Sequence, residues 1–322
     1  MSETTPPAAA SDSRLRRKRP FARYFKYPAE ALAFGLWMGL MRLLPVDRAS
    51  RIGGSLARRI GPHMGASKRV ERNLKLALPD LDAAGRGRIL LQVWEELGRT
   101  AAEYPHLTAI SKPENRRILF EGVEKITEAT AGGKGALLVS GHFANFEILN
   151  VAGSRLFDPF LGVIRTPNNK HVSDSLERMR GGSGGVRIAK KDRRLLPEIT
   201  KVIRRGGCVG ILVDQKLTGG LMIDFMGHAA ETTQAPAQLA LRLDCPVFVL
   251  NLERLEDARF KITVTDPILP DREAPRAEQI QQITRQINDK LSGFVRENPG
   301  NWFWLHRRWP KAAYGALQRE NA

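Results

Sequence analysis

Short, near-continuous apolar runs alternate with amphipathic stretches through the second two-thirds of the chain. Gly135-Ala-Leu-Leu-Val-Ser140, Phe160-Leu-Gly-Val-Ile164, Val209-Gly-Ile-Leu-Val213 and Pro246-Val-Phe-Val-Leu250 read as strands too apolar to face water on either side. Separated by helical patterns, they predict an α/β sheet covered by helices over 112–322. Between Asp47 and about Ile110 the texture differs. Apolar residues recur at three- and four-residue intervals, as in Arg88-Ile-Leu-Leu-Gln-Val-Trp-Glu-Glu-Leu97, so 46–111 is predicted to be a helical lead-in. Residues 27–45 carry the apolar stretch Ala31-Leu-Ala-Phe-Gly-Leu-Trp-Met-Gly-Leu-Met41, bounded by Glu30 and Arg42. It is short for a transmembrane span. A marginal span, a helix lying on a bilayer and a buried core helix all fit the pattern. Residues 1–26 are rich in Pro and Ala and then basic at Arg14-Leu-Arg-Arg-Lys-Arg19, the composition of a disordered arm. No internal repeat is visible.

Charge narrows the choice of partners. The 322 residues carry a formal net charge of +17, a surface that attracts phosphates on nucleic acid, anionic lipid or an acidic protein. Nucleic acid is disfavoured because the basic residues are spread along the chain without a zinc-finger, basic-zipper or RNA-recognition signature. Arg42, Arg48, Arg51, Arg58 and Arg59 lie close to the apolar stretch, where each adds attraction to anionic head groups on the order of 1 kcal/mol. A membrane-contacting helix over 27–45 is therefore expected. A cleavable leader is not, because no small-residue cleavage site follows the apolar run. Cys208 and Cys245 are far apart and lack metal-ligand spacing, so neither a disulfide framework nor a metal site is expected.

The candidate chemistry sits where the strand ending at Ser140 runs into Gly141-His142-Phe-Ala-Asn-Phe-Glu147. Open α/β sheets carry their sites at the carboxyl ends of strands. Five residues apart on a regular helix, two side chains diverge by about 140°. His142 is therefore expected in the turn before the helix, with Glu147 reaching back to it. A carboxylate on one imidazole nitrogen fixes the tautomer and stabilises the imidazolium, which is the equipment of a general base. By itself the spacing is equally a strand-end histidine satisfied by a nearby acid. Arg165, after an apolar strand and before a Pro-Asn-Asn turn, is expected near the carboxyl edge of the same sheet, where a surface ion pair is the plain reading. Asp214 and Gln215 end another strand and could complete the pocket, or serve its turn. Thr232 and Thr233 read as helix caps. Trp302, Trp304 and Trp309, interleaved with Arg307 and Arg308, fit either a head-group belt or a docked segment. His306 has no recognisable partner near it in sequence. Cys208 and Cys245 are not expected to act as nucleophiles.

Ser140-Gly-His-Phe-Ala-Asn-Phe-Glu147, Val163-Ile-Arg-Thr-Pro-Asn-Asn169, Val213-Asp-Gln215 and Trp302-Phe-Trp-Leu-His-Arg-Arg-Trp309 occur in this order. Together they resemble the late acyltransferases of lipid A biosynthesis, the lauroyl- and myristoyltransferases within the wider glycerol-phosphate acyltransferase class. The resemblance extends to the amino-terminal apolar helix and Arg72-Asn-Leu-Lys-Leu-Ala-Leu-Pro79. It implies a glycerol-phosphate-acyltransferase-like sheet, His142 and Glu147 as the catalytic pair, and Arg165, Asn169, Arg180, Asp214 and Gln215 around the substrate. It also implies an acyl thioester donor, on acyl carrier protein or as acyl-CoA, and a phosphorylated glycolipid acceptor at the cytoplasmic face of the inner membrane. No cofactor is implied. Lys170, where the family usually has proline, and the glycine-rich Gly181-Gly-Ser-Gly-Gly185 bear on acceptor and chain specificity. The same chemistry on another membrane lipid, or a non-catalytic basic lipid-binding protein, would carry much of the same pattern.

Overall fold

The computed structural model describes residues 26–164, 169–181, 188–190, 195–269 and 273–320. Five helices come first: α1 (Tyr27–Arg42), α2 (Val46–Ile60), α3 (Ser67–Ala77), α4 (Ala83–Glu103) and α5 (Leu107–Ser111). Strand β1 (Ile118–Glu121) and helix α6 (Glu124–Thr130) lead to β2 (Ala136–Ser140), α7 (Glu147–Leu156) and β3 (Phe160–Ile164). There follow α8 (Lys170–Gly181), β4 (Ile188–Lys190), α9 (Leu195–Arg204) and β5 (Cys208–Leu212). Strands β6 (Leu221–Phe225) and β7 (His228–Thr232) precede α10 (Ala235–Leu243), β8 (Val247–Arg254), β9 (Phe260–Val264), α11 (Arg276–Glu297) and α12 (Lys311–Glu320).

Seven strands form one sheet in the order β1-β9-β8-β2-β5-β3-β4. Every pairing is parallel except β8 with β9, which puts β9 and β1 in the opposite sense at one edge. The four predicted strands form the consecutive interior run β8-β2-β5-β3, and all five residues of β2 are buried. Parallel neighbours reached through helical crossovers leave no face for water, which is why these strands read as unbroken apolar runs. Strands β6 and β7 form a separate antiparallel hairpin. Its turn takes Met226 and Gly227 through φ of 57° and 85°, the pair of left-handed residues that a two-residue hairpin loop requires.

The helical lead-in shares the core of the sheet: Val70, Leu74, Val93 and Trp94 belong to one apolar cluster with Val139, Phe248 and Trp304. Helices α2 and α4 approach closely because glycines face each other. A Cβ on Gly98 would lie 2.2 Å from the Gly53 carbonyl oxygen, and one on Gly53 would lie 2.4 Å from that of Gly98. Helix α1 buries Met38 and Met41, and the Trp37 indole donates to the Ala101 carbonyl at 3.1 Å. Among the described residues no helix is long and apolar enough to cross a membrane. The carboxyl-terminal tryptophans are docked in the core: Trp302 is 3% exposed and Trp304 and Trp309 are 0% exposed. That settles their two readings in favour of docking.

Candidate active site

The register of the sheet builds the site. Strands β2 and β5 pair in parallel with Ser140 opposite Leu212, and Val213 N–H donates to the Ser140 carbonyl just beyond the last rung. Two further residues on each chain bring His142 opposite Asp214. His142 Nδ1 lies 2.7 Å from Asp214 Oδ1, and the His142 backbone N–H donates to Oδ2 at 2.9 Å. Trp302 Nε1–H donates to the same Oδ2 at 2.7 Å. Gly141 makes this approach possible, since a Cβ there would sit 2.8 Å from the Phe143 ring and 3.3 Å from Asp214 Oδ2.

The hydrogen bond to the imidazole therefore belongs to Asp214, not to Glu147 as the sequence spacing suggested. Glu147 opens α7 and is 1% exposed. Its carboxylate takes Arg180 in two parallel bonds of 2.7 and 2.5 Å and accepts the Tyr104 hydroxyl at 2.9 Å. A buried carboxylate held on both oxygens by a guanidinium and a phenol has no need of a neutral imidazole, and this explains the substitution of partners. Glu147 acts on His142 through its charge.

The electrostatics follow from burial and these contacts. Burial opposes a charge on His142, but attraction and hydrogen bonding to Asp214, with the charge of Glu147, outweigh it and raise its pKa above 6.5. Burial also opposes charge on Asp214, yet His142 and the Trp302 indole hold its pKa down at about 2. With Asp214 ionised, Nδ1 carries the proton and Nε2 is the acceptor. Gln215 Nε2 donates to that nitrogen at 3.2 Å. The imidazole side chain is 15% exposed. Phe146 and His306 stand beside it, with ring centroids 4.8 and 5.8 Å away.

The loop carrying His142 is held from several sides. Ala144 has φ of 41°, and its N–H donates to the Asn301 carbonyl at 2.8 Å. The Phe303 N–H donates to the His142 carbonyl at 3.0 Å. The Asn145 side chain donates to Glu103 Oε2 at 2.9 Å, and Glu103 is itself paired with Arg254 at 2.5 Å. Behind Asp214, Arg308 is fully buried, with its guanidinium 4.7 Å from the centre of the Phe225 ring. It donates to Thr232 Oγ1 at 2.7 Å and to the Glu231 carbonyl at 3.1 Å. Burial pushes its pKa down to about 10, against the pull of Asp214.

The fold thus gathers His142, Asp214 and Gln215 at one place, with Glu147 and Arg180 as a buried ion pair in the same region. Arg165 and the glycine-rich 182–187 lie outside the described residues. Asn169 is committed elsewhere: its amide donates to the Tyr27 carbonyl at 2.9 Å and to Glu30 at 3.2 Å, tying α8 to α1, and its oxygen accepts the His171 N–H. Thr233, one residue before the N-cap Gln234, accepts the Ala235 N–H at 3.3 Å, whereas Thr232 joins the Arg308 contacts. Sequence reading passed over Tyr104 and Glu103, and did not connect Arg308 or His306 with the site. Only Arg308 and His306 carried a signal, as members of the block that also supplies Trp302. Cys208 and Cys245 are buried, and burial raises both thiols to about 12. Neither suits a nucleophile. Among the described residues no cluster of metal-binding side chains occurs.

A strand-end imidazole held by an ionised carboxylate is the equipment of a general base, in keeping with acyl transfer. Residues 18–311 match the family model of the bacterial lipid A biosynthesis acyltransferases. A lipid A biosynthesis lauroyltransferase of Escherichia coli (strain K12) is 26% identical over 302 residues, which cover 88% of this chain and 94% of that protein. By the match over most of its length, the chain is an acyltransferase and belongs to the bacterial lipid A biosynthesis acyltransferase family.

Proposed function

We propose that the protein moves a long acyl chain from a thioester on acyl carrier protein, or from acyl-CoA, to a hydroxyl of a phosphorylated glucosamine-disaccharide precursor of lipid A. The reading places it at the cytoplasmic face of the inner membrane, with α1 against the bilayer. The observation that carries the chemistry is the His142–Asp214 bond of 2.7 Å, which leaves Nε2 as the proton acceptor. Nε2 takes the proton of the acceptor hydroxyl as its oxygen attacks the thioester carbonyl. Asp214 balances the imidazolium. When the tetrahedral intermediate collapses, the carbon–sulfur bond breaks and the imidazolium returns the proton to the leaving thiolate. General-base assistance of this kind contributes roughly 10²–10⁴-fold. Gln215 must give up its contact with Nε2 as the hydroxyl arrives.

A crevice of about 30 Å³, mostly apolar but smaller than an acyl chain, lies beside the histidine. It opens among Leu138, Phe146, Leu149, Val163, Ile211 and Leu212, and Phe146 connects it to the edge of His142. The name of the Escherichia coli relative makes lauroyl the first chain to test. The assay uses lauroyl thioester of acyl carrier protein and a lipid A precursor, with products read by mass spectrometry. Transfer by the wild type and its loss in His142→Ala are expected. Undiminished turnover in His142→Ala would overturn the mechanism, and failure of every lipid A precursor to accept a chain would overturn the acceptor.

A further inference from the structure

Helix α2 presents an apolar band that the protein leaves uncovered. Ile52, Leu56 and Ile60 are 46%, 42% and 53% exposed, and Met64, just past the helix, is 50% exposed. At the α-helical period Ile52, Leu56 and Ile60 spread over about 80° of the helix surface. The far flank is occupied by Gly54 and Ser50, and Gly53 follows Ile60 by about 20° at the edge of the band; all three are buried on the side of α4. The helix is therefore pinned rigidly, with its band facing outward.

The four arginines of α2 divide by side. Arg51 and Arg58 pair with Asp257 at 3.7 Å and Glu95 at 2.9 Å, on the flank turned toward the protein's own carboxylates. Arg48 and Arg59 are exposed and make no ion pair among the described residues. On the helical wheel they fall within about 20–40° of Ile52, along the border of the apolar band. Aliphatic side chains bordered by uncommitted guanidinium groups match the boundary between acyl chains and phosphate, where arginine buries its stem and leaves its charge among the head groups.

We propose that α2 is an in-plane docking helix for an anionic phospholipid bilayer, with Ile52, Leu56 and Ile60 in the acyl boundary and Arg48 and Arg59 on lipid phosphates. Charge selects this occupant over a second copy of the chain. A two-fold contact through the band would bring the arginines of both copies together on a protein of net charge +17. Leu32, Leu36 and Leu40 on α1, with Leu43 just past it, are 56–82% exposed and add a second uncovered aliphatic surface on the preceding helix. The proposal extends the membrane reading above to a different element and does not depend on the identity of the acceptor.

The test is co-sedimentation of the full chain with vesicles of phosphatidylglycerol and phosphatidylcholine, or of phosphatidylcholine alone. The triple variant Ile52→Ser, Leu56→Ser, Ile60→Ser is expected to bind the anionic vesicles about tenfold more weakly, with an unchanged thermal midpoint. The double variant Arg48→Gln, Arg59→Gln is expected to lose the preference for anionic vesicles. Acyl transfer to a detergent-dispersed acceptor should survive in both. Its absence in the wild type would count against the proposed substrate while leaving the vesicle result readable. Wild-type-like vesicle binding by a folded triple variant overturns the proposal. So does a wild-type dimer that the triple variant dissociates, or a raised KM for a carrier-protein donor with vesicle binding intact.

Discussion

At the scale of single residues, one carboxylate decides how His142 works. Asp214 raises the imidazole's affinity for a proton and also holds the tautomer that leaves Nε2 bare. The sign of the pH dependence follows. A base must be unprotonated, so kcat/KM rises with pH through a value above 6.5. In Asp214→Asn the larger supporting charge is gone and burial is opposed only by the charge of Glu147, so the acid limb moves to lower pH while kcat falls by roughly 10²–10⁴-fold. The same measurement on Glu147→Gln should show the smaller displacement, because that group acts without a hydrogen bond to the ring. An equal or larger displacement in Glu147→Gln would return the orienting role to Glu147. Stability runs the other way. The raised pKa of His142 adds stability that is complete below about 6.5 and lost as pH climbs through the folded value. The depressed pKa of Asp214 adds stability above about 3.9 that is lost as pH falls toward about 2. The protein should therefore be most resistant to unfolding in the window where its base is largely protonated, and thermal melts across pH check this.

Elements hold these residues through a few close contacts. Helix α8 carries Arg180 to Glu147, and both side chains are within 6% of full burial. Removing one partner leaves a charge in the interior, so Arg180→Met should cost about 3–5 kcal/mol in chemical denaturation. The double replacement with Glu147→Gln should recover part of that loss. Helices α2 and α4 meet at glycines whose carbonyls already stand where a side chain would go. Gly98→Val is expected to force them apart, lowering stability by about 1–3 kcal/mol. Such a shift would also tilt the α2 band away from any surface it rests on. The segment 301–303 closes the His142 loop by backbone bonds and by the Trp302 indole. Trp302→Phe keeps an aromatic ring between Phe225 and Trp304 but leaves unfilled space and deletes one donor to Asp214, so both kcat and the melting temperature should fall.

On the scale of the whole molecule, the sheet supplies a rigid carboxyl edge for chemistry and the helical lead-in supplies surface. The net charge of +17 is spread over the chain, and interactions between exposed charges are screened over about 8–10 Å at physiological salt. Vesicle binding should therefore weaken from 50 mM to 500 mM salt but retain a residue carried by the aliphatic ridges of α1 and α2. Complete release at high salt would make the attraction purely electrostatic and remove the role given to the leucines and isoleucines.

The four inner strands, the helical lead-in and His142 at a strand end were legible in the amino-acid sequence because each is a local pattern. Apolar continuity, helical period and a Gly-His turn need only neighbours along the chain. The outer strands were not, since β1, β4 and β9 are short or partly exposed, and the β6–β7 hairpin lies apart from the main sheet. The site was legible in its members and not in its bonds. Asp214 was a candidate because it ends an apolar strand, yet its separation of 72 positions from His142 hides a pairing that exists only because β2 and β5 lie side by side in parallel register. Glu147 looked like the partner because it is close in sequence. Tertiary packing gave it Arg180 and Tyr104 instead, since a buried carboxylate is stabilised by strong donors wherever the fold brings them. Sequence alone determined which groups could do acid–base chemistry. Strand order, which depends on how the helices cover the sheet, decided which of them touch.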